Sequence, residues 1–381
     1  MTQRSAIKLA VAWCTLFVVG TDLFVLSPLL PLIAADLNLH PGSAGLSVTA
    51  FAVTYMLCAP LFGYLADRVG RRPTLLWCLV GFAAANLWTA LAPSFGWLLA
   101  ARVAAGAMTA GVSPSIYALV GESAPPHRRA LWMAMAVSGL LLSLSLGASL
   151  GGLIGAAFGW AKVFDILAGS SLILVLANYR IWTGSTLVPL AGAAPGAAVA
   201  TAAPRLLLTV VWATALYGMY TYLGAWLTRR GFSTAEIAEI IVWYGAGALV
   251  GTLGGGRFAD RVGARTAIGV SLAGLAVCFL LLPLTLRPGL PIGLGFGVTS
   301  AVAQIFFPAQ QAGLVGDFPT RRASVLAWNN SSLFLGIALG SLAGGQAMSH
   351  GSFEASLAGC AAIAFAGWLI NWKIVPRPAS A

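Results

Sequence analysis

The chain has 381 residues, 59% of them hydrophobic and only 8% charged, with a formal net charge of +11. Soluble domains carry about a quarter charged residues, so this composition excludes a water-soluble enzyme or nucleic-acid-binding domain. The apolar residues fall in runs of about 20, the length that crosses a hydrocarbon core as a helix, and the expected class is an all-α polytopic membrane protein.

In chain order, the first run begins after Arg4 and Lys8 and ends near Ala35. It is too long for the apolar core of a signal peptide, holds Asp22 and shows no small-residue cleavage site, so it reads as the first transmembrane helix. Breaks at Pro, Gly and charge place the next five spans near residues 45–66, 74–91, 95–120, 131–158 and 163–182. Six more fall near residues 206–228, 237–259, 266–286, 291–315, 324–348 and 353–372, twelve in all. The segment 183–205, rich in Ala, Gly and Pro, reads as a cytoplasmic linker between an N-terminal bundle (1–182) and a C-terminal bundle (206–381). An even number of spans puts both termini on one side. Sixteen Lys and Arg fall in loops on that side, against only Lys162, Arg229, Arg230 and Arg287 on the other. The positive-inside rule then makes the termini cytoplasmic and accounts for the net charge without a nucleic-acid partner.

The two halves repeat one another. GYLADRVGRR from Gly63 returns as GRFADRVGAR from Gly256, an interval of 193 residues. At the same or nearly the same interval Pro114 pairs with Pro308, HRRA from His127 with TRRA from Thr320, and GASLGG from Gly147 with GSLAGG from Gly340. Four matches in one order indicate duplication, and hence two pseudo-symmetric six-helix halves.

These motifs resemble the major facilitator superfamily over essentially the whole chain. GYLADRVGRRP, Gly63 to Pro73, matches the signature G-x-L-x-D-R-x-G-R-[RK] between the second and third helices of that family. LLAARVAAGAMTAG from Leu98 is similar to its fourth-helix signature, and PLLP at Pro28 to Pro31 to the end of the first helix in many drug exporters. SLGASLGG, Ser145 to Gly152, is similar to the fifth-helix motif of proton-coupled exporters at Gly147, Gly151 and Gly152, but Ala148 stands where that motif has proline. The resemblance implies the major facilitator fold and transport by alternating access. It points to the small bacterial drug or sugar:proton antiporters of the inner membrane. It implies a latch in which Asp67 meets the start of the eleventh helix near Ser324 and Asp260 that of the fifth. Gly63, Arg68, Gly70, Arg71 and Arg261 complete the two loops. Gly147, Gly151 and Gly152, like Gly340, Gly344 and Gly345, would form small faces against the opposite half.

The residues themselves suggest where coupling sits. Asp22 lies about 20 Å along a helix from Lys8, deep in the bilayer, where an ionised carboxylate costs about 3 kcal/mol or more without a partner, water or a proton. A carboxyl that passes between dry and cation-facing surroundings changes its proton affinity. Asp22 is therefore a candidate for proton coupling and substrate contact; lining a wet cavity or a fixed ion pair are the plainer readings. Arg102 is the basic residue placed within a span; it can bias Asp22, hold an anionic substrate, or snorkel to the surface. The resemblance implies the first role. Tyr217 and Tyr220, three apart in the seventh span, offer an aromatic face for hydrophobic or cationic substrates. Gln304 and Asn329 add neutral amides that should face the bundle interior, as candidate substrate-cavity residues or as hydrogen-bonded links between helices. Gln311 and Asn330 read as packing residues, and Asp165 as a helix-end or surface partner of Lys162.

No metal-ligand spacing, nucleophile–base–acid series or phosphate-binding loop is present, and the five cysteines lie scattered in apolar runs. The expectation is a transporter, not an enzyme, with no cofactor beyond the proton gradient. Its partners would be a small-molecule substrate, protons and membrane lipid, and a monomer suffices. Export of a drug-like compound, sugar or metabolite against protons is the leading reading. Proton-coupled or uncoupled metabolite uptake is the alternative, and a non-transporting membrane receptor a remote one.

Overall fold

The computed structural model describes residues 3–125, 129–182, 196–286, 292–318 and 322–373. No strand occurs among them. The helices of the first half are α1 (Gln3–Phe24), α2 (Leu26–Asp36), α3 (Pro41–Ala44), α4 (Leu46–Val69), α5 (Arg71–Ala90) and α6 (Phe95–Ser123), followed by α7 (Arg129–Leu142), a π-helical turn (Ser143–Gly147), α8 (Ala148–Phe158) and α9 (Trp160–Ile181). Those of the second are α10 (Gly196–Tyr220), α11 (Leu223–Arg229), α12 (Thr234–Val262), α13 (Ala264–Leu281), α14 (Ile292–Gln304), α15 (Phe306–Asp317), α16 (Arg322–His350) and α17 (Phe353–Lys373). Twelve stretches of these helices are long and apolar enough to cross a membrane. Residues 196–205, read from the sequence as the end of the linker, are helical and open α10.

The chain forms two units, residues 1–39 with 46–192, and residues 40–45 with 193–381. Within unit 1, α1 packs on α7 and α9, α4 on α6, and α5 on α6 and α9. Within unit 2, α10 packs on α16 and α17, α12 on α14, and α13 on α15 and α17. Each pairing of one unit has its counterpart in the other, as duplication requires. Large apolar side chains such as Trp77 and Phe158, each 75% exposed, cover the outer faces, an arrangement suited to lipid rather than water.

Breaks in the spans trace to proline. Pro28 cannot donate to the carbonyl four residues back, and α1 gives way to α2 at Val25; Pro308 has the same relation to the α14–α15 break at Ile305. The duplicated loop also has a local cause. Gly70 (φ 105°) and Gly263 (φ 84°), 193 residues apart, stand at the N-caps of α5 and α13. Their ψ values of 148° and 147° lie in a region essentially reserved for glycine. Just beyond, Arg72 donates to the Tyr179 carbonyl at the end of α9 (2.7 Å), and Arg265 to the Trp372 carbonyl at the end of α17 (2.6 Å). An arginine after each loop thus satisfies carbonyls that a helix end leaves unpaired.

Gly70→Ala and Gly263→Ala should each lower stability by about 1–3 kcal/mol. Gly63→Ala should be near neutral, because nothing lies within 4 Å of the added methyl. Thermal unfolding midpoints in detergent check this; an equal loss for all three would contradict the backbone argument.

Candidate functional site

Asp22 sits in the last turn of α1, just before the proline-linked break, and Arg102 in the first turns of α6. Arg102 Nη1 donates to Asp22 Oδ1 at 2.7 Å and Nη2 to Oδ2 at 3.1 Å. This two-pronged geometry suits guanidinium and carboxylate. Both side chains are 0% exposed. The Phe51 ring of α4 lies 4.7 Å from the guanidinium and the Phe164 ring of α9 lies 5.8 Å away. Four helices therefore enclose one pair of opposite charges, with aromatic faces closing the site around the cation. Arg102 Nε, also buried, has no hydrogen-bond partner among the described residues. Asp22 and Arg102, singled out separately in the sequence, thus meet as a pair, and Arg102 is completely buried rather than snorkelling to the surface. Phe51 and Phe164 had no sequence signal of their own, being two phenylalanines among eighteen.

The pair is confined to unit 1. The repeat interval carries Asp22 to Ala215 or Leu216 and Arg102 to Gly295 or Phe296, none of which can carry charge. Unit 2 instead holds a second buried arginine. Arg205, inside the α10 span and 7% exposed, pairs through Nη2 with Asp317 at 2.6 Å. The sequence reading of Arg102 as the sole basic residue within a span is corrected on this point; the helix extends back past Arg205 into what looked like linker. Gln310 Nε2 donates to the Arg205 carbonyl (2.6 Å) and to Thr209 Oγ1 (3.0 Å), and Thr209 donates to Asn329 Oδ1 (2.6 Å). Gln310 and Asn329 thereby tie α10, α15 and α16 together. Tyr217 and Tyr220 meet edge to face at 6.2 Å, and Tyr220 meets Tyr244 of α12 at 5.1 Å. Tyr244 was missed because nothing in its own span marks it. Gln304 closes α14 and is 8% exposed. Lys162 and Asp165 pair at the surface at 3.4 Å, as the sequence suggested.

The glycine faces differ from the expectation that they lie against the opposite half. A Cβ at Gly147 would overlap Thr21, at Gly151 Val25, and at Gly152 would meet Pro28, so this face packs on α1 and α2 within unit 1. Gly340 and Gly344 lie likewise against α10 within unit 2. Close approach of backbones in lipid explains both faces. The π-helical turn Ser143–Gly147 occupies the stretch just before Ala148, and Ser143 lies against Gly20, two residues from Asp22. π-turns insert a residue into a helix and recur at functional sites.

In the signature loop, Arg71 forms an ion pair with Glu122 of α6, and the exposed Arg68 lies 4.6 Å over the Tyr64 ring. Gly63 is within α4, and Asp260 and Arg261 are exposed in the last turns of α12. The side chains of Asp67 and Ser324 lie outside the described residues.

The family model of the Major Facilitator Superfamily matches residues 12–255 and 213–381. The chain belongs to the major facilitator superfamily. It is 30% identical over 343 residues to the MFS-type transporter YceJ of Bacillus subtilis (strain 168), covering 86% of both chains. A chloramphenicol resistance protein of Streptomyces lividans is 31% identical over 261 residues, 66% of each. The crystal structure of a bacterial homolog of the human lysosomal transporter Spinster superposes with a TM-score of 0.81 at 19% identity, covering 98% of this chain and 97% of that one. These relatives are transporters, not enzymes, and the protein is a transporter of this superfamily.

Removing one partner of the pair strands a buried charge. Asp22→Ala should therefore destabilise the transporter by about 3–5 kcal/mol, and adding Arg102→Ala should restore a large part of that loss. Thermal unfolding of the two single variants and the double variant measures this; losses that simply add would show that the two side chains act independently.

Proposed function

We propose that this transporter exports a small organic compound in exchange for protons by alternating access, with Asp22 carrying the proton and Arg102 reading its charge. The observation that supports this is the fully buried, two-pronged Asp22–Arg102 pair. A guanidinium stays protonated at any relevant pH, so a proton entering this site goes to Asp22. A neutral Asp22 leaves Arg102 without its counter-charge in a dry site, a costly state. Relief comes only by bringing water or another acceptor to Arg102, which requires the helices to move. Protonation and conformation are then one event.

Export is favoured by the name of the chloramphenicol resistance relative. The fifth-helix glycines and the first-helix PLLP of the exporter motifs favour it too. Asp22, the aromatic pair Tyr217 and Tyr220, and the amides of Gln304 and Asn329 are the proposed substrate contacts. One acid and one arginine leave that set near neutrality, so it suits neutral, cationic or zwitterionic compounds with an apolar body. Asp67 and Asp260 are proposed as latches of the two loops, and Gly63, Gly70, Arg68, Arg71 and Arg261 as their frame. With Arg205 assigned to a span, the fifteen-to-four bias of the remaining loop-assigned basic residues supports a bacterial inner-membrane location with both termini in the cytoplasm. Ala148 at the proline position favours one second reading, uptake of a metabolite.

In proteoliposomes, a pH gradient should drive transport by the wild-type protein, whereas Asp22→Asn should abolish gradient-driven accumulation. Full coupled transport by Asp22→Asn would overturn the assignment. Opposite preferred flux in right-side-out and inverted vesicles separates export from uptake. For the latch, Asp67→Asn should slow turnover several-fold with substrate affinity little changed; lost affinity at unchanged turnover would place Asp67 at the substrate instead.

A further inference from the structure

Residues 40–45 belong in sequence to the connection between the first two spans, yet they pack as part of unit 2. They comprise His40, the single-turn helix α3 and Gly45, and they lie directly on α16. The Ser341 hydroxyl donates to the Gly45 carbonyl at 2.8 Å. The Tyr222 hydroxyl donates to the Ser341 carbonyl at 2.9 Å, with the Gly42 carbonyl at 3.2 Å. A Cβ at Gly42 would strike the Gly345 carbonyl, and one at Gly45 would strike Tyr222. The segment is a strap seated on unit 2 by short polar contacts.

His40 closes the strap. Its Nδ1 lies 3.1 Å from the Gly42 amide and 3.2 Å from Ser349 Oγ, whose own proton goes to the Gly345 carbonyl at 3.0 Å. Its Nε2 lies 2.8 Å from Arg229 Nη2. Arg229 is held in place, donating through Nη1 to the Met348 carbonyl at 3.0 Å. A guanidinium and a backbone amide are donors without lone pairs. Nε2 of His40 therefore faces an N–H of Arg229, whereas Nδ1 lies between the Gly42 N–H and the lone pairs of Ser349 Oγ. A neutral imidazole can offer Arg229 the Nε2 lone pair; an imidazolium cannot, and sets a positive charge against Arg229.

No carboxylate offsets that charge among the described contacts. The groups acting on the ring are Arg229 of α11 and His350 of α16. Arg230, just past α11, is engaged with Glu354 of α17, and Asp36, ending α2, accepts a hydrogen bond from Trp160 at 2.9 Å.

We propose that residues 40–45 are a pH-sensitive strap, held on unit 2 by neutral His40 and released when His40 is protonated. Burial, the Arg229 guanidinium and His350 hold the His40 pKa below the ordinary imidazole value. The seated strap thus disfavours the proton. Seating is strongest above the ordinary value of about 6.5 and weakens as pH falls through it toward the lowered value. Under the orientation proposed above, this face is the external one, where an energised bacterial membrane is acidic. The inference does not depend on Asp22, because it concerns seating of the strap and not transport.

Hydrogen exchange of the full-length protein in lipid nanodiscs, corrected for intrinsic rates, tests it at about pH 7.5 and about pH 5. The amides of residues 42–45 should lose protection by about threefold or more on acidification, while those in the middle of α13, away from both Asp22 and the strap, do not. His40→Gln keeps a neutral acceptor for Arg229 and should hold its protection at both pH values. Arg229→Gln removes the opposing charge and should blunt the response, which keeps the test decisive even if His40→Gln seats poorly. An unchanged wild-type strap across this range, or an undiminished acid response in both variants, would overturn the proposal.

Discussion

A carboxylate and a guanidinium joined by two hydrogen bonds and shut off from solvent set the terms for unit 1. Each charge alone would be prohibitively costly at that depth. Their partnership requires α1 to bring Asp22 and α6 to bring Arg102, while α4 and α9 supply the rings that seal the cation. The glycine face beyond the π-turn serves the same end. With no side chains at Gly147 and Gly151, the fifth span approaches Thr21 and Val25 and presses on the segment that carries Asp22. The pair that holds these helices together is also the one proposed above to carry the proton.

Duplication supplied the scaffold, and divergence supplied the chemistry. Helix pairings, loop glycines and the arginine clamps on α9 and α17 recur in both units. The charge pair does not: the equivalent positions in unit 2 are small or apolar. Unit 2 carries its polarity differently, as an amide and hydroxyl network around Arg205 and as the tyrosine cluster of α10 and α12. The charge pair of one unit and the aromatic and amide groups of the other are thus the two kinds of chemistry that divergence added to a common scaffold.

Much of this was legible in the sequence because lipid restricts the choices. Backbone groups must be satisfied within each helix, so twelve apolar runs become twelve helices, and prolines show where the first and tenth spans break. The repeated charged loop fixes the pseudo-symmetry through residues that need glycine backbone angles. Less was legible where a contact depends on tertiary placement. Asp22 and Arg102 could each be singled out, but eighty residues separate them and only the fold brings them together. The phenylalanines around Arg102 are indistinguishable in sequence from those facing lipid. The start of α10 was hidden because Ala-rich sequence serves a helix as readily as a linker, and with it the burial of Arg205. The glycine faces were visible, but periodicity cannot say which neighbour they meet.

The central claim is that Asp22 takes up a proton when its pair with Arg102 opens. Infrared difference spectroscopy of the lipid-reconstituted transporter across an acid titration reads this directly. The account predicts a protonated-carboxyl band that appears on acidification and is missing from Asp22→Asn. A titration spanning the working pH range with no band dependent on Asp22 would contradict it.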